Sequence, residues 1–554
     1  MSSSEVSSSR PRVADGSPAP AAADPSPDGA AAAAAGGWAS AAKRRLTFEH
    51  LAVGVLALLV LVVHDLGYIL SHPYWTDEAW VAASTLFPLS QLPATTSSTP
   101  IGWSAVLRVV DVGGTQSGRL LPLAFAGVAV IIAYWFARRL DWPRREVAVG
   151  AGLLAGLAAL LVPAMLVRDD LKQYTADACF ALLALALTSR LEREWSWRRL
   201  AALSVGVWGG MLFSHTVAFL GIAAFGAVCV VQLARGQWRR LGEAVVAGAC
   251  TAVLMAAVYE AFDARAVLPG LTNSPLFTHY YLPRHGGPRA MLNFIVGHVN
   301  NAHVYFGLGP VWLAAPLFVA GLITVFWLRR PATAIMLAVL WPEMLAISAL
   351  HKYPFLDLRT STFLFTVTAV VAAIGVAGVC AVLRPWLKGA IAIAVAAAAV
   401  VGFALAVRPY MRSHLIPNED VRSQARYVAA HAAPRDVILV NMSSNWGFAY
   451  YWPAGHPSRR PDAAVLQLYE AYYPGQPRIV VASNRDPAGV DAALAQALAR
   501  SRQRSCAPIW LVRTHVSVAE GRAWSAALRQ QHLTAAPAGD AGLSLIRVPG
   551  SRCR

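Results

Sequence analysis

Three clusters of ionisable residues carry the chemistry available to this sequence. Asp77 and Glu78 stand side by side in YWTDEAW (Tyr74–Trp80). Asp169 and Asp170 stand in VRDDLKQYTAD (Val167–Asp177), followed by Lys172 and Tyr174. Tyr353 and Arg359 belong to HKYPFLDLR (His351–Arg359). A carboxylate can take the proton from a hydroxyl as that hydroxyl attacks. Arg and Lys can hold a leaving phosphate and offset its developing charge. Aromatic rings offer a sugar a flat apolar face. Inversion at a sugar carbon needs the base on the face opposite the leaving group, which suits acids and cations drawn from separate segments. Taken singly, each acid reads equally as a solvated loop carboxylate or a helix N-cap.

The elements that must position these clusters are membrane helices. Of the 554 residues, 56% are hydrophobic and only 14% are charged, against about 25% charged in soluble domains. The formal charge of +17 lies largely in short Lys/Arg clusters between apolar runs. That is the positive-inside pattern, and it argues against nucleic acid as a partner. A spanning helix needs about 20 apolar residues, and about eleven runs meet that measure. They lie near 49–70, 119–137, 146–167, 174–190, 200–214, 216–234, 243–262, 305–328, 333–350, 360–383 and 389–408. The basic clusters at 138–145, 190–199, 235–240, 329–331 and 384–388 share one side of that count, the expected cytoplasmic side. The three ionisable clusters share the other. Pro100–Gly114 carries Arg108 and Asp111 and would break the charge pattern if it crossed, so it is expected to lie in the interface.

The fold class expected is therefore a polytopic α-helical membrane protein with about eleven spans and a C-terminal extracytoplasmic α/β domain. Residues 1–45, rich in Ser, Ala, Pro and Gly, cannot bury a core and are expected to be a disordered cytoplasmic tail. Residues 46–409 form the transmembrane domain, opening on an uncleaved signal anchor. Residues 410–554 alternate strand-like runs (436–441, 478–483, 508–515) with helical ones (420–432, 491–503, 519–531). No Gly-rich phosphate loop follows any of these strands. Cys506 and Cys553 lie in a compartment that permits a disulfide, with two free thiols as the alternative. Cys179, Cys229, Cys250 and Cys380 read as small packing residues. His279, His285, His298 and His303 lack metal-ligand spacing, so no metal is assigned and no cofactor is required, while a divalent ion is left open. His215, at the end of a span, is a candidate substrate contact or a packing residue.

The order of these pieces resembles the GT-C glycosyltransferase superfamily, in which protein O-mannosyltransferases and aminoarabinose transferases of lipid A carry an acid after the first span. The stretch 98–140, with its Pro-led helix and Arg119 before Leu-Leu-Pro, is similar to bacterial members. So are DDLKQYTADACFALLALAL (169–187) and KYPFLDLRTSTFLF (352–365). The resemblance implies an inverting transferase of the bacterial cytoplasmic membrane. Its donor is a polyprenyl-phosphate sugar and its acceptor a hydroxyl of a cell-envelope glycan, lipid or protein. It implies Asp77 as base, with Glu78 beside it as a second catalytic acid or an orienting residue, and Asp169 or Asp170 as the acid of the second loop. Lys172 and Arg359 are implied as ligands of the donor phosphate, and Tyr174 and Tyr353 as substrate contacts or structural residues.

A proton- or lipid-coupled transporter or flippase is the alternative. Such proteins commonly show repeated halves and broken midplane helices, and the sequence shows no such repeat. An envelope scaffold would leave the two acidic loops without a purpose.

Overall fold

Every one of the eleven expected spans falls on a helix, although several of those helices are broken. The computed structural model describes residues 48–87, 99–167, 170–264, 275–307, 311–383, 389–409, 419–452, 473, 476–539 and 542–549. The N-terminal tail, Asp169 and Cys553 lie outside the described residues. Contacts divide the chain after Leu51, and everything from Ala52 onward forms one unit.

The first apolar run is split into α1 (Phe48–Val63) and α2 (Leu66–Ser71). Asp65 causes the break: it takes a left-handed backbone, φ 50°, and accepts from the Tyr68 N–H with its side chain, as an N-cap does. The acidic loop then forms α3 (Thr76–Ser84). The stretch Pro100–Gly114 forms α4 (Ile101–Val110). Its ten residues reach about 15 Å, half a hydrocarbon core, so the expectation that this segment does not cross agrees with its length. The helices α5 (Leu120–Arg138), α6 (Arg145–Leu161) and α7 (Pro163–Val167) follow. Pro163 lacks the N–H that would carry α6 onward. Then come α8 (Tyr174–Arg193), α9 (Trp197–Met211), α10 (Val217–Ala234) and α11 (Trp238–Val258), the last prolonged by a π-helical turn to Asp263. After α12 (Gly287–Ala302) stand α13 (Val311–Trp327), α14 (Pro331–Ala349), α15 (Thr362–Leu383) and α16 (Gly389–Val407).

Among the described residues, six helices are long and apolar enough to cross a membrane unaided, or seven if Gly287–Phe306 and Val311–Trp327 make one bent span. That is fewer than the expected eleven, because breaks such as those at Asp65 and Pro163 shorten individual helices. The bundle centres on α15, which is buried continuously from Thr362 to Gly378, as a helix apolar on all sides must be. Against α13 it packs backbone to backbone. A Cβ on Gly375 would fall 2.2 Å from the Leu317 carbonyl oxygen, and one on Gly321 would fall 2.1 Å from that of Val371. Helices in lipid use small residues for such close crossings.

The C-terminal part contains α17 (Val421–His431), β1 (Val437–Val440), α18 (Asn445–Tyr451), β2 (Ile479–Val481), α19 (Pro487–Gln503), β3 (Ile509–Val512) and α20 (Val518–Gln530). Two further strands, β4 (Ala535–Pro537) and β5 (Leu543–Ile546), lie beyond the three that the sequence suggests. The sheet order is β2-β1-β3-β5-β4. Leu439 pairs in parallel with Val480 and Leu511, and Leu511 faces Ser544 across an antiparallel ladder. β1 and β3 are buried on both faces, which requires their unbroken apolar runs. Alternation along β1 sends Val437 and Leu439 into a core with α19 and α20. It sends Ile438 and Val440 into a core with α17, α18, α3 and α4. The sheet thus shares a hydrophobic cluster with the loop that carries Asp77.

Candidate active site

The site is built outward from a buried fork. Arg119 donates to Glu78 through Nε (2.7 Å to Oε1) and through Nη2 to Oε2. Its remaining donors reach the carbonyls of Ile69 (3.0 Å), His72 (2.7 Å) and Pro73 (3.1 Å). One planar guanidinium therefore ties the end of α2 to the first turn of α3. Burial works against its charge, and the Glu78 carboxylate beside it offsets that cost. Glu78 is 2% exposed and also accepts from the Trp75 N–H (3.3 Å). It stands as the clamp of the helix start. Asp77, one residue earlier on the helix, points elsewhere.

Asp77 faces two cations from distant loops. Its Oδ2 lies 2.7 Å from Arg359 Nη1 and 3.9 Å from Lys172 Nζ. All three side chains are partly open, with relative exposures of 24%, 30% and 14%. Each cation also stands over an indole of the acidic loop: Lys172 lies 5.0 Å from the Trp80 ring centre and Arg359 5.8 Å from that of Trp75. Such contacts hold a cation in place while keeping its charge available.

Local structure delivers each partner. In the second loop, the Trp103 indole of α4 donates to the Leu171 carbonyl (2.9 Å), and its ring packs on Phe125, which meets Phe180 and Phe213. This pins the residue just before Lys172. Asp170 is 8% exposed and accepts from the Lys172 N–H (3.3 Å). In the third loop, Asp357 Oδ2 accepts from the N–H groups of Arg359 (3.1 Å) and Thr360 (3.0 Å). That Asx turn sets the approach to α15. Burial disfavours the Arg359 charge, yet Asp77, Tyr174, Asp170 and Asp357 together raise its pKa above the ordinary guanidinium value.

Arg359 also forms part of the wall of a cavity of about 560 Å³, lined by Phe277, His279, Tyr280, His298, Asn301, Tyr305 and Asp357 among others. The arrangement can hold an anion at Arg359 and Lys172 next to a carboxylate able to accept a proton.

Other expected site residues are placed differently. Tyr174 is buried at the start of α8 and lies near enough to act electrostatically on Arg359. Tyr353 donates to the Thr360 carbonyl (2.9 Å) and sets its ring edge on Phe219, so it braces the third loop. His215 Nε2 lies 3.4 Å from Asp263 Oδ2, linking α10 to the π-helical turn after α11. Among the described residues no group of three or more His, Cys, Asp or Glu is arranged to hold a metal ion.

The sequence reading missed Glu419 and His515, which the C-terminal layer brings to the loop. Glu419 Oε2 accepts from the Thr76 N–H (2.9 Å) and hydroxyl (3.0 Å), and His515 bonds the other Glu419 oxygen. Tyr451 accepts from the Tyr74 N–H (2.9 Å), while Tyr450 and Tyr74 both donate to Asp111 (2.8 and 3.2 Å). The aromatic stretch 441–452 therefore meets the acidic loop, and Trp446 lies 6.1 Å from Trp80. No local signal marks Glu419 or His515: Thr76 lies 343 positions from Glu419, and Glu419 lies 96 from His515.

At the sequence level, no known family model and no curated protein matches the chain. Solved structures do. ArnT from Cupriavidus metallidurans in the apo state matches at 14% identity over 94% of this chain and 99% of that one, with a TM-score of 0.50. The same protein bound to undecaprenyl phosphate matches at 14% identity over 92% and 99%, with a TM-score of 0.54. The archaeal oligosaccharyltransferase AglB from Archaeoglobus fulgidus, in complex with an inhibitory peptide and a dolichol phosphate, matches at 12% identity over 84% and 69%, with a TM-score of 0.48. The chain therefore shares the overall fold of ArnT.

Proposed function

We propose that this protein is an inverting glycosyltransferase that moves a sugar from a polyprenyl-phosphate donor to a hydroxyl of a cell-envelope glycan, lipid or protein. The observation that carries this reading is the meeting of Asp77, Lys172 and Arg359 from three separate loops beside a cavity that Arg359 helps to line. The shared fold with a protein crystallised with undecaprenyl phosphate supports it.

The donor phosphate enters between Lys172 and Arg359 and competes with Asp77 for both cations. Charge-assisted bonds to phosphate are strong and, for Arg, bidentate. Asp77 is thereby released as a free carboxylate when the donor is in place. It takes the proton of the acceptor hydroxyl. That oxygen bonds to the anomeric carbon on the face opposite the phosphate. The carbon–oxygen bond to the phosphate breaks, and its electron pair leaves on polyprenyl phosphate, held by the two cations. Asp170, or Asp169 outside the described residues, acts as the second acid. Tyr174 contacts substrate, while Glu78, Tyr353 and His215 position the loops. Residues 46–409 make up the catalytic membrane domain. The C-terminal α/β layer and the three loops lie on the extracytoplasmic face, and residues 1–45 form the cytoplasmic tail.

Purified protein in proteoliposomes, given a panel of labelled polyprenyl-phosphate sugars and a membrane extract as acceptor, tests the reading. Label moves from one donor with the wild type and not with Asp77→Asn. Equal transfer by both removes Asp77 as base. Donor-independent accumulation of cargo inside the vesicles would favour a transporter.

A further inference from the structure

We infer that Glu419 and His515, both from the C-terminal α/β layer, are positioning residues that set the place of Asp77. The inference rests on the reading of Asp77 as the reacting acid.

The start of α3 needs an outside acceptor. Its N-cap position is Trp75, whose side chain makes no cap bond. Glu78 serves the Trp75 N–H, and Glu419 serves the next one, at Thr76, along with the Thr76 hydroxyl. A carboxylate at this end of a helix also meets the positive end of its dipole. Asp77 is the very next residue. Glu419 is 8% exposed, so its geometry is set by surrounding protein.

His515 holds the second oxygen of Glu419 and is itself presented by the sheet. It lies just past the carboxyl end of β3, at the edge where open α/β sheets place functional groups. Buried Asn441, just past β1, donates to the Thr514 carbonyl (3.0 Å) and to Glu520 Oε1 (3.0 Å). Ser444 bonds the Thr514 hydroxyl (2.7 Å). His515 sits at φ 49°, a left-handed backbone that a non-glycine residue adopts only when its surroundings impose it. The groups acting on its ring are Glu419, Arg485 and Asp77. The Glu419 hydrogen bond dominates and raises the imidazole pKa above 6.5. The cationic ring is therefore favoured over that of a free imidazole and is lost as pH rises through the raised value.

Full-length wild type, Glu419→Ala, Glu419→Gln and His515→Gln in nanodiscs are compared by two measurements. Hydrogen–deuterium exchange across residues 74–84 is expected to rise about tenfold in Glu419→Ala, with Glu419→Gln, which keeps an acceptor, falling between it and wild type. Transfer from an undecaprenyl-phosphate hexose or pentose is expected to lose kcat about 10- to 100-fold in Glu419→Ala with KM for the donor unchanged, since displacing a reacting group by about 1 Å has that scale of cost. The alkaline fall in kcat is expected in the wild type and absent in His515→Gln, whose kcat is low throughout. Unchanged exchange in α3, or an alkaline limb identical in wild type and His515→Gln, overturns the inference. Full transfer by Asp77→Asn instead overturns the reading beneath it, while the exchange result continues to report on the cap.

Discussion

Asp77 and Arg359 lie 282 positions apart and meet at 2.7 Å. Both are partly open to solvent, so their ion pair contributes only about 0–1 kcal/mol to stability. The pair is better explained by what it keeps ready than by what it holds together. Arg359→Ala and Asp77→Asn are each expected to leave the melting temperature nearly unchanged and to cut transfer about 100-fold or more. Melts in detergent alongside proteoliposome transfer check both halves. A large drop in melting temperature would make the pair structural.

The neighbouring acid has the opposite fate. Glu78 and Arg119 are almost fully buried against each other, and breaking such a pair leaves an uncompensated buried charge. Glu78→Ala or Arg119→Ala is expected to cost about 3–5 kcal/mol. The measurement is thermal or denaturant unfolding of the purified variants, with loss of transfer following from loss of fold.

The acid limb of stability should depend on Glu419. Burial raises its pKa, but the His515 hydrogen bond and the Thr76 donors outweigh that, and the net shift is downward from 4.5. A depressed carboxylate stabilises the fold above its unfolded pKa and loses that contribution as pH falls through the folded value. Melts taken from pH 6 downward should therefore fall less steeply below 4.5 in Glu419→Gln than in wild type.

Cys506 is disulfide-bonded, whereas Cys179, Cys229 and Cys250 are free thiols. Reduction, or Cys506→Ser, is expected to lower the stability of the C-terminal layer by about 2–4 kcal/mol. Non-reducing peptide mapping should recover the Cys506 peptide in disulfide linkage.

The crossing of α13 and α15 admits no side chain at Gly375, because a Cβ there would overlap the Leu317 carbonyl. Gly375→Val is expected to destabilise by about 3 kcal/mol or more, read as loss of monodisperse protein or a lowered melt. Gly402, where a Cβ meets nothing within 4 Å, is the control and should tolerate alanine.

Much of this molecule is written in local sequence. Apolar runs of sufficient length point to helices, in which one segment satisfies its own polar groups in lipid; each of the eleven expected runs carries helix among the described residues, with six or seven helices long and apolar enough to cross. The alternating strands and helices after residue 419 are legible for the same local reason, although β4 and β5 are too short and mixed to announce themselves. The three ionisable clusters were visible because charges beside apolar runs are costly enough to stand out.

Tertiary structure alone decided which partner each acid meets. Asp77 and Glu78 are indistinguishable in sequence, and a helix turns adjacent residues about 100° apart, so one faces Arg119 and the other faces Lys172 and Arg359. The same holds for His215, drawn to Asp263, and for Glu419 and His515, which reach α3 from the far end of the chain. Periodicity and composition describe a residue's immediate neighbours along the chain. The partner each of these side chains meets is supplied by packing between segments 41 to 343 positions apart, and no local pattern encodes it.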